Sequence, residues 1–199
     1  MNDFYKGPQE ESERTRPPIG SLRYESPLDA YTALPQLAEL TQQRPHEGED
    51  ALGFLGRLRS STTPEEAVTY TAFSALPQMA VWWAHECLQS APDFLDVNDR
   101  AMMGAISNWI KHPSTGLRYS IMKEAMWSPK RSPVVLLGLA VGWSGGAVAP
   151  NDTAPVPNYR TPMSINTALL SYLARADMRR RPIFLARFID MAEPLFRVY

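Results

Sequence analysis

The stretch from Ser132 to Pro162 constrains the fold more than any other. It opens on a run without a polar face, Pro133-Val-Val-Leu-Leu-Gly-Leu-Ala-Val-Gly-Trp143. A helix that is apolar around its whole circumference has to be buried on every side, so other helices must pack around it as a hub. The run stops short of the roughly 20 residues a bilayer span requires and ends in Ser144-Gly145-Gly146, which argues against membrane insertion. Gly138 and Gly142 stand one turn apart and would let a neighbouring backbone approach closely, while Gly145 and Gly146 offer a left-handed C-terminal cap. A long loop with Pro150, Pro155 and Pro157 then leads to Thr161-Pro162.

The remaining chain reads as further short helices. Residues 1 to 25 carry Pro8, Pro17, Pro18 and an acidic Glu10-Glu11-Ser12-Glu13 run with few apolar residues, the composition of a flexible tail. Residues 26 to 199 form the helical domain. Ser26-Pro27 pairs an N-cap with proline at the first helical position, followed by Leu28, Tyr31 and Leu34, and a second short piece carries Leu37 and Leu40. Leu52, Phe54, Leu55 and Leu58 mark the next helix. Thr63-Pro64-Glu65-Glu66 has the form of a capping box, with Val68, Ala72 and Leu76 as the inward stripe behind it. Pro77 resets the chain into a helix ending near Gln89. Met102, Ile106, Trp109 and Ile110 share one further face, and Leu117, Ile121 and Ala125 another. After the hub and its loop, Ile165, Ala168, Leu169, Tyr172 and Leu173 point inward on a helix opening at Thr161. Pro182 opens a last helix with Phe184, Phe188 and Met191, which Pro194 should stop. No stretch alternates with period two, so the expected fold is all-α, a single bundle of about eight or nine short helices.

A chain of 199 residues with 44% hydrophobic and 21% charged residues suffices for one packed domain and a tail. Twenty basic residues against twenty-one acidic ones give a net charge of -1, so no global field draws the protein to nucleic acid or an anionic membrane. The single Cys87 cannot form an internal disulfide and the N-terminus lacks a secretory pattern, which points to the cytoplasm.

Candidate chemistry is sparse. His85-Glu86-Cys87 holds the residue types of nucleophilic catalysis, but successive helical residues point about 100° apart. Cys87 then falls on the apolar face with Met79, Ala80, Trp83 and Ala84, and His85 on the opposite, surface side. His46, His85 and His112 have no partners at metal-ligand spacing, so no metal and no cofactor are expected. Ser144-Gly145-Gly146 lacks both the nucleophile elbow and the P-loop lysine and reads as a helix stop. Arg179-Arg180-Arg181 is the basic cluster of a segment, 172 to 199, with six arginines against three acids. Without interleaved aromatics it suits a protein partner or a solvated junction better than nucleic acid. Trp82 breaks its local pattern by falling among Gln78, His85, Glu86 and Gln89 on the polar side, where either the N-terminal segment or a partner has to cover it.

Trp82-Trp83-Ala84, the Trp109-to-Tyr119 region, and Trp143-Ser144-Gly145-Gly146 followed by Ala149-Pro150, Pro155-Val156-Pro157 and a helix opening at Thr161 together form a signature. Over about residues 64 to 195 it resembles an uncharacterised family of small all-helical bacterial proteins. That resemblance implies genes beside type VI secretion components and forkhead-associated-domain genes, and with them a cytoplasmic accessory role without established catalytic residues. Two function classes follow. The first is a non-enzymatic adaptor or chaperone that binds a protein partner, a secretion component or effector, through Trp82, the loop residues Val156 and Tyr159, and Arg179 to Arg181. The second is a small helical hydrolase or transferase with its site in the 144–160 loop around Ser144, Asn151, Asp152 and Tyr159, for which Asp152, His85 and Ser144 would have to converge.

Overall fold

The structure, a computed structural model, describes residues 20–91, 95–149 and 152–197. Among them stand ten helices and no strand: α1 Pro27–Ala33, α2 Pro35–Leu40, α3 Ala51–Arg59, α4 Glu66–Ser74, α5 Pro77–Gln89, α6 Val97–Lys111, α7 Thr115–Trp127, α8 Pro133–Trp143, α9 Arg160–Arg175 and α10 Arg181–Phe196. The fold is the all-α bundle expected. The described helices number ten because Leu34, at φ -130° and ψ 80°, parts α1 from α2, as the residue before a proline tends to do.

Most starts are written locally. The hydroxyls of Ser26, Ser114 and Ser132 each accept the amide three residues on, and Pro27 and Pro133 fill the first helical position behind their caps. The expected capping box at Thr63 does not form. The helix starts at Glu66 without a side-chain cap, and the Glu66 carboxylate instead accepts the amides of Gln42 and Gln43, each at 3.0 Å. A carboxylate that satisfies two amides of another segment outcompetes its own helix end. The capping box that does form belongs to α6, where Asp96 and Asp99 cap each other's backbone amides.

The hub is in place. Every residue of α8 from Pro133 to Gly142 is buried except Leu136, which is half-buried, and α5, α6, α7 and α9 pack around the helix. Gly138 and Gly142 make this possible. A Cβ at Gly138 would meet Met102 Sδ of α6 at 2.9 Å and Ala125 Cβ of α7 at 3.1 Å, and one at Gly142 would run into the side chain of Met122. The close neighbours are therefore side chains.

Two further expectations are corrected. His85 is buried, at 4% exposure, because α5 packs against α6, α8, α9 and α10 and has little open side; its Nδ1 lies 3.1 Å from Glu86 Oε1. Pro194 does not end α10, which runs on to Phe196. The last turn is held by burial of Leu195 and Phe196, the latter with its ring 5.4 Å from that of Tyr70 on α4. Of the expected tail, residues 1–19 lie outside the described residues. From Ser21 onward the chain is tied down: Leu76 donates its amide to Ser21 O and Arg23 its amide to Ser74 O, both at 2.8 Å.

Candidate functional site

A concave apolar surface among the described residues is built around Trp143 at the end of α8. On one side stands α7. Its inward residues Ile121, Met122 and Ala125 pack on the hub, which turns Met126 and Trp127 out to solvent at 56% and 81% exposure. Arg131 fixes the end of this helix by donating to the carbonyls of Ala125, Met126 and Ser128. On the other side stands the loop after α8, which is ordered by its own backbone. Val148 donates to Ala154 O, Val156 donates to Gly146 O, and Ala147 and Pro155 form an antiparallel bridge. The Tyr119 hydroxyl of α7 reaches the carbonyls of Ala149 at 3.1 Å and Ala147 at 3.3 Å and clamps the loop to that helix. At the start of α9 the Arg160 guanidinium lies 5.5 Å from the Trp143 ring centroid, a cation–π contact.

Two grooves meet at this Trp143–Arg160 pair. One, of about 630 Å³, runs between α7 and the loop past Lys123, Met126, Trp127 and Val148. The other, of about 440 Å³, lies between α8 and α9, with Leu136, Leu139, Tyr159 and Met163 in its walls. Among the described residues, Lys123 and Arg160 are the charged ones lining the pair of grooves, and no carboxylate lines either. An apolar trough with two cations suits a ligand that is apolar and carries negative charge.

The residues singled out from sequence are distributed unevenly about this surface. Tyr159 lies in the wall of the second groove, half-buried against the core. Val156 is half-buried in the paired part of the loop. Trp82 is half-buried against the core on α5 and lines neither groove. Arg179, Arg180 and Arg181 are exposed at the junction of α9 and α10, where Arg180 stacks over Phe184 at 4.9 Å and Arg181 lies 3.5 Å from Glu65. Ser144, His85 and Asp152 do not hydrogen-bond to one another: the Ser144 hydroxyl donates to Val141 O at 2.7 Å, Asp152 accepts the Ala154 amide at 2.9 Å, and His85 faces Glu86. Asn151 lies outside the described residues. Cys87 is fully buried against Met191 of α10, and burial pushes its thiol pKa well above the ordinary value.

Trp127, Met126, Lys123 and Arg160 were not singled out from sequence. A signal existed for the first two. Winding α7 at 100° per residue from its Leu117, Ile121 and Ala125 stripe sets Met126 and Trp127 more than 90° away from the centre of that stripe, the same anomaly that marked Trp82. No helix among the described residues is long and apolar enough to cross a membrane, and no group of three or more His, Cys, Asp or Glu among them could hold a metal ion. A family model described as a family of unknown function (DUF6931) matches residues 54–196. No curated protein and no solved structure matches the chain.

Proposed function

Since the chain belongs to the DUF6931 family, a family of unknown function, we propose from its own surface that it is a protein-binding accessory or adaptor. The occupant of the Trp143 grooves is a segment of a partner protein that presents apolar side chains flanked by aspartate or glutamate. The observation that carries this reading is the exposed Met126–Trp127 pair on the rim of an apolar trough whose charged lining is Lys123 and Arg160. Tryptophan and arginine are the side chains in which binding energy concentrates at interfaces. The loop clamp adds to it, since a paired, proline-bearing loop loses little conformational freedom on docking. The resemblance of the Trp143-Ser144-Gly145-Gly146 signature to proteins encoded near type VI secretion components supports a cytoplasmic adaptor or chaperone role toward such a component or its effector.

The test is a reconstitution. Proteins retained by the wild-type chain from its host are purified singly, and their affinities are measured by calorimetry for the wild type and for Trp127→Ser, Arg160→Gln and the double variant Val156→Ala/Tyr159→Ala. A partner of this site binds Trp127→Ser at least about tenfold more weakly and loses affinity as salt rises, while the melting temperature of that variant stays near that of the wild type. A purified partner that binds Trp127→Ser and Arg160→Gln as tightly as the wild type places the interface elsewhere.

A further inference from the structure

Arg118, on the first turn of α7, is an arginine at 7% exposure without a carboxylate partner among the described residues. Buried arginines are ordinarily paired with an acid, because an uncompensated charge away from water is costly. Here Nη1 donates to Gly142 O near the C-terminal end of α8, and the guanidinium carbon lies 4.1 Å from the Tyr119 ring centroid. Capping α8 accounts for one of the five N–H groups of the side chain. Its remaining face borders a pocket of about 270 Å³ in whose lining Arg118 is the one charged residue.

The rest of that pocket offers donors as well. Ser114 and Thr115 bring the N-terminus of α7 to it. The Ser114 hydroxyl is spent on the Leu117 amide, which leaves the amides of Thr115 and Gly116 without a partner among the described residues. The opposite wall is Ser144-Gly145-Gly146. Gly146 has a φ of +69°, and a Cβ on it would stand 2.8 Å from Arg118 Nη2, so the absence of a side chain there keeps the guanidinium edge clear. A buried guanidinium with N–H groups to spare and the first amide of a helix thus border one space, the kind of donor set that holds a tetrahedral oxyanion.

We propose that this pocket binds a phosphate group, with Arg118 and the Thr115 amide as its donors. The group supplies the counter-charge that Arg118 lacks. The site is separate from the Trp143 grooves, which it does not need, and one of its walls is the Ser144-Gly145-Gly146 segment that ends α8.

An amide-resolved NMR titration with sodium phosphate, run against sodium chloride at equal ionic strength, tests it. The Thr115, Gly116 and Gly146 amides and the Arg118 Nε–H shift saturably with phosphate and not with chloride. Thr115→Pro is the decisive variant. Proline is tolerated at the first helical position, and the extended backbone of Ser114, at φ -145° and ψ 151°, suits the residue before a proline, so the fold persists while one donor is deleted. It weakens phosphate at least about tenfold at the remaining reporters, and Arg118→Gln abolishes the response. No saturable shift in the wild type, or unchanged titration of Thr115→Pro, overturns the proposal, and the latter decides the matter even if Arg118→Gln does not fold. A second arm compares inorganic phosphate with a short phosphoserine peptide. Binding of the peptide about tenfold or more tighter assigns the site to a phosphorylated side chain, and parity assigns it to a small free phosphate.

Discussion

Two helices of this molecule are buried along almost their whole length, and they reach that state by opposite means. α8 does so with aliphatic side chains and two glycines, so that α6 and α7 approach it through Met102, Ile121, Met122 and Ala125. α4 is the more completely enclosed of the two, since every residue from Glu66 to Ser74 is buried and α1, α2, α3, α9 and α10 all pack on it. Yet four of its nine residues are Glu, Thr or Ser, and a fifth is Tyr. The polar atoms of three of them are spent on partners at hand: Thr71 Oγ1 donates to Ala67 O at 2.8 Å, Thr69 Oγ1 to Asn166 Oδ1 of α9 at 3.0 Å, and Glu66 receives the Gln42 and Gln43 amides. Tyr70 lies in an aromatic run between Phe54, at 4.8 Å, and Phe196. Burial without a polar face costs nothing in unmet hydrogen bonds, whereas burial with one requires that each group be met.

The comparison yields its largest effect at α8. Leu137→Ala removes a fully buried side chain from a helix held chiefly by apolar packing, and should cost about 2–5 kcal/mol in chemical denaturation. A smaller loss would show that the glycine-lined contacts of α8 relax into the cavity. At α4 the corresponding weak point is polar. Glu66→Ala leaves two amides without their acceptor and should cost about 1.5–3 kcal/mol, with Glu66→Gln recovering part of it. If alanine there is neutral, water replaces the carboxylate and α4 is buried less firmly than its enclosure indicates.

The same contrast explains what could be read from the sequence. Burial of Pro133–Gly142 was legible because composition alone forces it, and Ser26 was legible as a cap because capping is settled within three residues. α4 looked amphipathic, with Val68, Ala72 and Leu76 inward, because the partners that permit burial of Glu66 and Thr69, at Gln42, Gln43 and Asn166, are distant in the chain. The failed cap at Thr63 has that same cause. His85 was misplaced by treating α5 as two-sided when helices pack against it on several sides, and Pro194 by weighing a proline without the buried Leu195 and Phe196 beyond it. Of the candidate surface, Trp143 and Tyr159 stood in stretches already singled out. The trough itself, made where the Val148–Ala154 pairing meets the Tyr119 clamp, is a tertiary product that no local pattern announces.

The smallest expected effect lies at the edge of the α4 surroundings and depends on pH. Glu49 receives the Nε of Arg57 at 2.8 Å and its Nη2 at 2.7 Å, together with the His46 amide, and this set lowers its carboxyl pKa from 4.5 to about 2, the Arg57 hydrogen bonds first among the causes. Arg57 in turn lies over Phe54, which meets Tyr70 of α4. A carboxylate whose folded pKa is depressed contributes stability that is fully present above the unfolded value near 4.5 and is lost as pH falls toward 2. The pair retains 30% and 15% side-chain exposure, and solvent screening reduces its worth to about 1 kcal/mol, or roughly 2–4 °C in melting temperature for a chain of this size. Glu49→Gln should therefore melt below the wild type by that margin from pH 7 down to about 5, and the gap should close between pH 4.5 and 2. Leu137→Ala, which removes no titrating group, should keep its deficit across the same range. A Glu49→Gln gap that persists unchanged at pH 2 would mean that the glutamate acts through packing instead of charge, and that the polar means of enclosing α4 do not extend to its outer shell.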